Sequence, residues 1–348
     1  MIASMIRELD LTGDFLQNGK TEPESIETIY FGGGTPSLLQ PSEIAALVEA
    51  VRDRYPVTAT AEVTLEANPD DMDDRMPPQW RKAGINRLSI GIQSFHQRDL
   101  AAMNRAHDAT RALRCIDDVK AGGFDNFSVD LIYGIPGLSD ADWKSNVDRV
   151  IRREVPHVSC YALTVEPKTA LHHMIALHKT ADIDPGAQAR QFSLLMQWMQ
   201  AAGYEHYEIS NFCKPGRRSR HNASYWQGKK YLGIGPSAHS FNGRVRRWNV
   251  ASNAAYLSAL KMDKVPFEEE ILSPANRLNE SIMIGLRTAE GIDLRRLEEE
   301  FPGEQHRIRQ LVQEQGFGQD RVVWDNDHLR LTNHGKLFAD GIAASLFR

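Results

Sequence analysis

Five short clusters of residues carry the groups that could do chemistry. The first is Tyr30-Phe31-Gly32-Gly33-Gly34-Thr35-Pro36, where three glycines let the backbone approach a ligand and turn N–H groups toward an anion. The second, third and fourth are read at two-residue spacing: Glu62, Thr64 and Glu66; Ser89, Gly91 and Gln93; Asn126, Ser128 and Asp130. Three strands that each carry polar groups on one face in phase favour a binding site over a solvated interior. The glycine run is not a P-loop, since no Gly-Lys-Ser/Thr follows, and it does not fit Gly-x-Gly-x-x-Gly. A fifth cluster sets His221 and His239 on either side of Tyr225, Trp226 and Tyr231. Imidazole and aromatic faces suit a flat macrocycle, with histidine as an axial ligand, but a structural loop with a hydrogen-bonded histidine has the same composition.

The elements that must position these groups follow from the same alternation. β-Branched and aromatic runs recur at Thr28–Phe31, Glu62–Ala67, Arg87–Gln93, Asn126–Tyr133 and His157–Leu163. Helix formers fill Ser42–Arg54, Gln79–Ala83, Thr110–Ala121 and Ala141–Arg153 between them, which predicts βαβ units and a parallel sheet. Opposite the polar positions stand Val63, Leu65 and Ala67, then Leu88, Ile90 and Ile92, then Phe127, Val129 and Leu131. The apolar face must pack on helices, so the polar face points into a barrel. Unpaired carboxylates there would cost several kcal/mol each, about what an isolated buried polar group costs, so a ligand, water or internal pairing is expected. Glu66, Gln93 and Asp130 close their strands at the C-terminal end, where β/α barrels place their sites.

The chain opens on a helical pattern, Ile2–Leu16, with no strand before it, so the first βα unit looks cut. Toward the C-terminus, helical segments at Ser281–Arg287, Asp293–Phe301 and His306–Gln315 precede a hairpin, Val322–Trp324 and Leu329–Leu331, and a last helix Gly335–Leu346. That order resembles a winged-helix module. The expected fold class is α/β: a partial (β/α)6 barrel lacking its first strand over residues 1–203, a capping region over 204–275, and a winged-helix-like α+β domain over 276–348. Glu298, Glu299, Glu300 and Glu304 in the proposed recognition region would repel phosphates, and the net charge is -5, so nucleic acid is not an expected partner. No apolar run is long enough for a transmembrane segment and the N-terminus is not a secretory signal, so a cytoplasmic chain is expected.

Cys115, Cys160 and Cys213 lie far apart in the chain and have neither knuckle spacing nor an even count, so three reduced thiols are expected. Leu171-His172-His173-Met174 and His178 lack a carboxylate at helical spacing and read as a solvated face. Arg217, Arg218, Arg220, Lys229 and Lys230 form a basic patch that could meet propionates or be a plain solvated loop. Arg105, taken alone, is a surface arginine.

Taken together, Gly32-Gly33-Gly34-Thr35-Pro36, Glu66-Ala67-Asn68-Pro69, Arg87 to Phe95 and Asp130-Leu131-Ile132-Tyr133-Gly134-Ile135-Pro136-Gly137 resemble the radical S-adenosylmethionine (SAM) proteins related to oxygen-independent coproporphyrinogen III oxidase. The likeness runs over nearly the whole chain. His221-Asn222-Ala223-Ser224-Tyr225-Trp226 and Tyr231 to Ser240 look like the segments of the HemW branch, the haem chaperones. The resemblance implies a partial barrel holding SAM and a [4Fe-4S] cluster. By motif, Gly33, Gly34 and Thr35 would lie along the methionine moiety, and Glu66, Gln93, Arg105 and Asp130 would hold the amino-acid and ribose ends. His221, Asn222, Tyr225, Trp226 and His239 would form the haem region.

One departure is severe. The family binds its cluster through Cys-x-x-x-Cys-x-x-Cys, and this sequence has no such motif. The chain as given is therefore expected neither to hold the cluster at that site nor to cleave SAM reductively, with a truncated gene or a naturally cluster-free paralogue as the two explanations. The implied function is a haem chaperone that binds haem and SAM, with the cluster in the full-length form, and passes haem to acceptor proteins at the membrane. The alternatives are a coproporphyrinogen III oxidase acting on porphyrin precursors and a cluster-free binding protein.

Overall fold

A computed structural model describes residues 1–17, 24–178 and 180–348. The chain opens on α1 (Ile2–Leu11), then β1 (Ile26–Phe31), α2 (Pro41–Arg54), β2 (Val57–Ala67), α3 (Met76–Lys82) and β3 (Arg87–Gln93). It continues through α4 (Gln97–Ala102), α5 (Ala109–Ala121), β4 (Phe127–Tyr133), α6 (Asp140–Arg152), β5 (His157–Ala162), α7 (Ala170–Ala176) and α8 (Pro185–Ala201). The expected strands and helices are present, with ends moved by a few residues. The larger shifts are α1, which ends at Leu11 and not Leu16, and β2, which begins at Val57 and not Glu62 because Val57 pairs with Ile26 ahead of a register shift.

Strands β1 to β5 pair in parallel and in sequence order. The far edge is finished differently. β6 (Glu205–Glu208) and β7 (Asn211–Cys213) form an antiparallel pair, and β7 joins β5, which gives the order β1-β2-β3-β4-β5-β7-β6. Neither short strand has an alternating pattern to announce it. Helix α8 had a readable signal: Asp184 caps it by accepting the N–H groups of Gly186 and Ala187, and Pro185 occupies the first turn.

The sheet is a half-barrel with helices outside. The apolar face of β2, β3 and β4 lies entirely in one core with Trp80, Ile116, Trp143 and Leu195, all fully buried. Each such side chain contributes roughly 1.5–3 kcal/mol of burial free energy. β1 is the other edge of the sheet, and α1 packs beside it against α2, with Leu9, Phe15 and Leu16 meeting Ala50 and Tyr55.

Beyond the barrel come α9 (Arg220–Trp226), β8 (His239–Phe241), β9 (Val245–Asn249), α10 (Asn253–Leu260) and β10 (Phe267–Ile271), with β8, β9 and β10 forming an antiparallel sheet. Glu8 of α1 is tied into this region. Its buried carboxylate accepts the Gly235 N–H at 2.8 Å, the Asn249 amide at 2.5 Å and the Tyr256 hydroxyl at 2.5 Å. The C-terminal part has α11 (Pro274–Arg287), β11 (Ile292–Asp293), α12 (Leu294–Glu300), α13 (Glu304–Glu314), β12 (Val322–Asp325), β13 (His328–Leu331) and α14 (Ala339–Ser345) around a second core. Strand β11 adds to the expected hairpin, completing the three-stranded sheet of a winged helix. The glutamates there have local tasks: Glu298 accepts the N–H groups of Gly303 and Gln305, Glu300 pairs with Arg277, and buried Glu304 pairs with Arg307 and Arg348.

Candidate functional site

The strand ends bring the four barrel clusters together. After β1 the chain turns through Gly33 and Gly34 with φ of +78° and +65°, a conformation that favours glycine. A Cβ on either would meet nothing within 4 Å, so the space above the loop is open. Glu66, at the end of β2, lies against this loop. Its Oε2 accepts the Gly33 N–H at 3.2 Å and its Oε1 accepts the Tyr30 hydroxyl at 2.7 Å. Thr35 begins the short helical turn Pro36–Leu38, and the Ser37 hydroxyl donates to Asp71 at 2.6 Å, pinning the loop to the segment after β2.

Gln93 ends β3 with φ of +70°, where the pairing with β4 slips in register. Gly91 makes room for its neighbours: a Cβ there would lie 3.1 Å from Gln93 Nε2 and 3.4 Å from Arg105 Nη2. Arg105 is therefore not a free surface arginine. Its guanidinium donates to Asn68 Oδ1 at 2.7 Å and to the Gly91 carbonyl at 3.0 Å. Asn68 also donates to Asp71 at 3.2 Å, so it fixes Arg105 to the loop after β2. Asp130, half-buried inside the barrel, has its carboxyl pushed up to about 6 by burial, with the Ser159 hydrogen bond and the Arg87 and Arg105 charges opposing.

Below this rim the interior stays polar. Arg87 is fully buried, its Nε is 3.8 Å from Glu62 Oε2, and its Nε and Nη2 have no protein hydrogen-bond partner. Glu62 accepts the backbone N–H groups of Arg220 and His221 at 3.1 and 3.0 Å. That fastens α9 to the inner face of β2. His157 meets the Tyr207 hydroxyl at 2.8 Å.

Helix α9 carries the His-Asn-x-x-Tyr-Trp segment. His221 Nδ1 is 3.0 Å from Thr28 Oγ1, and the imidazole stacks on Tyr30 with ring centres 4.4 Å apart. Burial, with the Arg87 charge, lowers His221 to about 4, so the ring is neutral at physiological pH. An aromatic run leads away from it: Tyr225 at 5.1 Å, then Tyr231 at 4.8 Å from Tyr225, then Phe241 at 6.1 Å from Tyr231. The Asn222 N–H completes the Ser219 cap of the helix. Trp226 lines a cleft of about 370 Å³ against Ile284 and Leu297 of the C-terminal part. His239 stands apart from the run: it is exposed on β8 and its ring meets Trp248 at 6.3 Å.

The basic patch has acidic partners. Arg217 pairs with Asp125, Arg218 with Glu205 and Glu290, Arg220 and Lys229 with Glu27, and Lys230 with Glu24. His172 and His173 are exposed on α7. Cys115, Cys160 and Cys213 are separately buried free thiols on α5, β5 and β7. Among the described residues no group of three His, Cys, Asp or Glu side chains could hold a metal ion.

Residue spacing alone did not single out Tyr30, Asn68 or Arg87. Tyr30 and Asn68 each lie within a quoted motif, and Arg87 opens its strand, so position beside a glycine loop or a strand end was the available signal.

Comparison with known proteins decides the family. The radical SAM superfamily profile matches residues 5–150, and that of the HemN C-terminal domain matches residues 272–338. The chain is 36% identical over 333 residues to the heme chaperone HemW of Mycobacterium tuberculosis H37Rv, covering 95% of this chain and 83% of that protein. It belongs to the HemW family of radical SAM proteins. The HemW proteins of Lactococcus lactis IL1403 and Bacillus subtilis 168 are 32% and 30% identical, over 80% and 81% of this chain and 74% and 75% of theirs. The fold matches that of the Escherichia coli coproporphyrinogen III oxidase HemN, with a TM-score of 0.81 at 19% identity, over 99% of this chain and 82% of that one.

Against the cofactors of this family, the residues divide. The open glycine loop, two carboxylates, the anchored guanidinium and Gln93 match the carboxylate, ammonium and hydroxyls of SAM, which when bound supplies a sulfonium-activated adenosyl group. The three cysteines present do not make a thiolate set for a [4Fe-4S] cluster, because they sit on separate buried elements.

Proposed function

We propose that this chain is a haem chaperone that binds SAM across the strand ends of its half-barrel and haem beside α9, and hands the haem to acceptor proteins at the membrane. The observation that carries this reading is the identity with curated heme chaperones over 95% of the chain, α9 included. In the SAM subsite, Gly33, Gly34 and Thr35 lie along the methionine moiety, Arg105 takes its carboxylate, and Glu66, Gln93 and Asp130 take the ammonium and ribose hydroxyls. In the haem subsite, His221, Asn222, Tyr225 and Trp226 supply a neutral imidazole and aromatic faces, with His239 on the outer margin. The ion-paired basic residues keep the rim short of free cations for propionates. Among the described residues no helix is long and apolar enough to cross a membrane, so contact with membrane acceptors falls to the surface.

The test titrates haem into the wild-type chain and His221→Ala, followed by the Soret band. Stoichiometric binding by the wild type, lost in the variant, is the expected result. Failure of the wild-type chain to bind haem, or equal binding by the variant, would overturn the reading.

A further inference from the structure

The sheet edge β1 places two residues, Thr28 and Tyr30, on the same inward face at a spacing of two. Both touch His221. Thr28 Oγ1 lies 3.0 Å from its Nδ1, and the Tyr30 ring stacks on it at 4.4 Å with planes 15° apart. Tyr30 also reaches the other way, donating its single hydroxyl proton to Glu66 Oε1 at 2.7 Å. Glu66 is completed by the Gly33 N–H at 3.2 Å. One side chain thus touches both the carboxylate at the glycine loop and the histidine of α9.

We infer that Tyr30 is a positioning residue that couples the cofactor end of the barrel, through Glu66, to the conformation of His221. The inference rests on the reading that Glu66 faces SAM. The two donors on Glu66 hold its carboxylate in one orientation, with the remaining lone pairs turned to the pocket. A ligand that bonds those lone pairs fixes Glu66, and with it the phenol and the ring plane against which His221 stacks. Drawing His221 off the stack, as a haem iron recruiting its imidazole would, releases the phenol and loosens Glu66. Linkage makes the effect reciprocal: cofactor binding holds His221 against Tyr30, and departure of His221 weakens the cofactor. SAM loading therefore opposes engagement of His221 elsewhere.

Two measurements test this. In the ligand-free chain, Glu66→Gln should shift the His221 ring-proton resonances, and the same substitution in a Tyr30→Phe background should leave them in place. In calorimetric titration with S-adenosylhomocysteine, Tyr30→Phe should weaken binding about tenfold, the size of one hydrogen bond to a charged acceptor. Thr28→Val, which removes the hydroxyl beside His221 Nδ1, should weaken it about twofold, and that effect should vanish in the Tyr30→Phe background as coupled sites require. His221 resonances indifferent to Glu66→Gln, or additive effects of the Thr28 and Tyr30 substitutions, would overturn the coupling. Resonances that move as expected in a chain that does not bind S-adenosylhomocysteine would leave the coupling intact and sink the cofactor reading instead.

Discussion

Asp130 gives the sharpest quantitative expectation. Its carboxyl moves from an ordinary value of 3.8 to about 6 because burial disfavours its charge more than Ser159, Arg87 and Arg105 support it. The folded pKa lies above the unfolded one, so the native state holds its proton more tightly. The associated stability is fully present below pH 3.8 and is lost as the pH rises through about 6. The shift corresponds to about 3 kcal/mol at most, since the side chain is only half-buried and solvent screens part of it. Urea denaturation of the wild type and Asp130→Asn at a series of pH values isolates this group, because the other titrating residues cancel in the difference. The wild type should lose ground against the variant between pH 4 and pH 7, by up to about 3 kcal/mol. Binding of S-adenosylhomocysteine should run the opposite way, because in the proposed subsite the ionised carboxylate would accept ribose hydroxyls. With a pKa of about 6, the ionised fraction falls about tenfold from pH 7 to pH 5, and affinity should fall with it. The variant should show no such dependence. A stability difference that stays flat over this range would refute the account of Asp130 as a carboxyl raised by burial.

His221 should titrate near 4, well below its ordinary 6.5, in an NMR pH series; because its folded value is depressed, its contribution to stability is present above 6.5 and is lost as the pH falls toward 4. A pKa close to 6.5 would mean that the ring is not seated between Tyr30 and Thr28. Glu8→Ala should strip three donors of their acceptor and lower stability by about 3 kcal/mol, read as a shift of the urea midpoint at constant slope. Leu65→Ala should cost roughly 2–5 kcal/mol, because the side chain is fully buried on the core face of β2. Leu38→Ala, at a side chain 69% exposed, should stay within about 0.5 kcal/mol of wild type in the same assay.

The half-barrel was legible because its signal is local and repeated. Alternation in β2, β3 and β4 separates Val63, Leu88 and Val129 from Thr64, Ser89 and Ser128, and a strand buried on one face has only one register that satisfies both sets. The glycine loop was legible for a similar reason, since Gly33 and Gly34 take backbone angles that few other residues adopt. The motif resemblance then named the family, and the match to HemW proteins agrees with it.

What the tertiary structure decided are the contacts between segments far apart in the chain, for which local pattern has no signal. Periodicity could put Glu62 and Glu66 on one face, but not that Glu62 would bind the backbone of α9 while Glu66 would bind Tyr30. Sequence grouped His221 with His239 by proximity in the chain; the fold stacks the first on the barrel edge and turns the second toward Trp248. The basic run looked available to an anion until the fold placed Asp125, Glu27, Glu205 and Glu290 against it. By itself the sequence determined which residues face inward and which backbone turns require glycine, because both depend on near neighbours. Which inward groups pair with one another was decided by the curvature of the sheet and the docking of α9 on its edge.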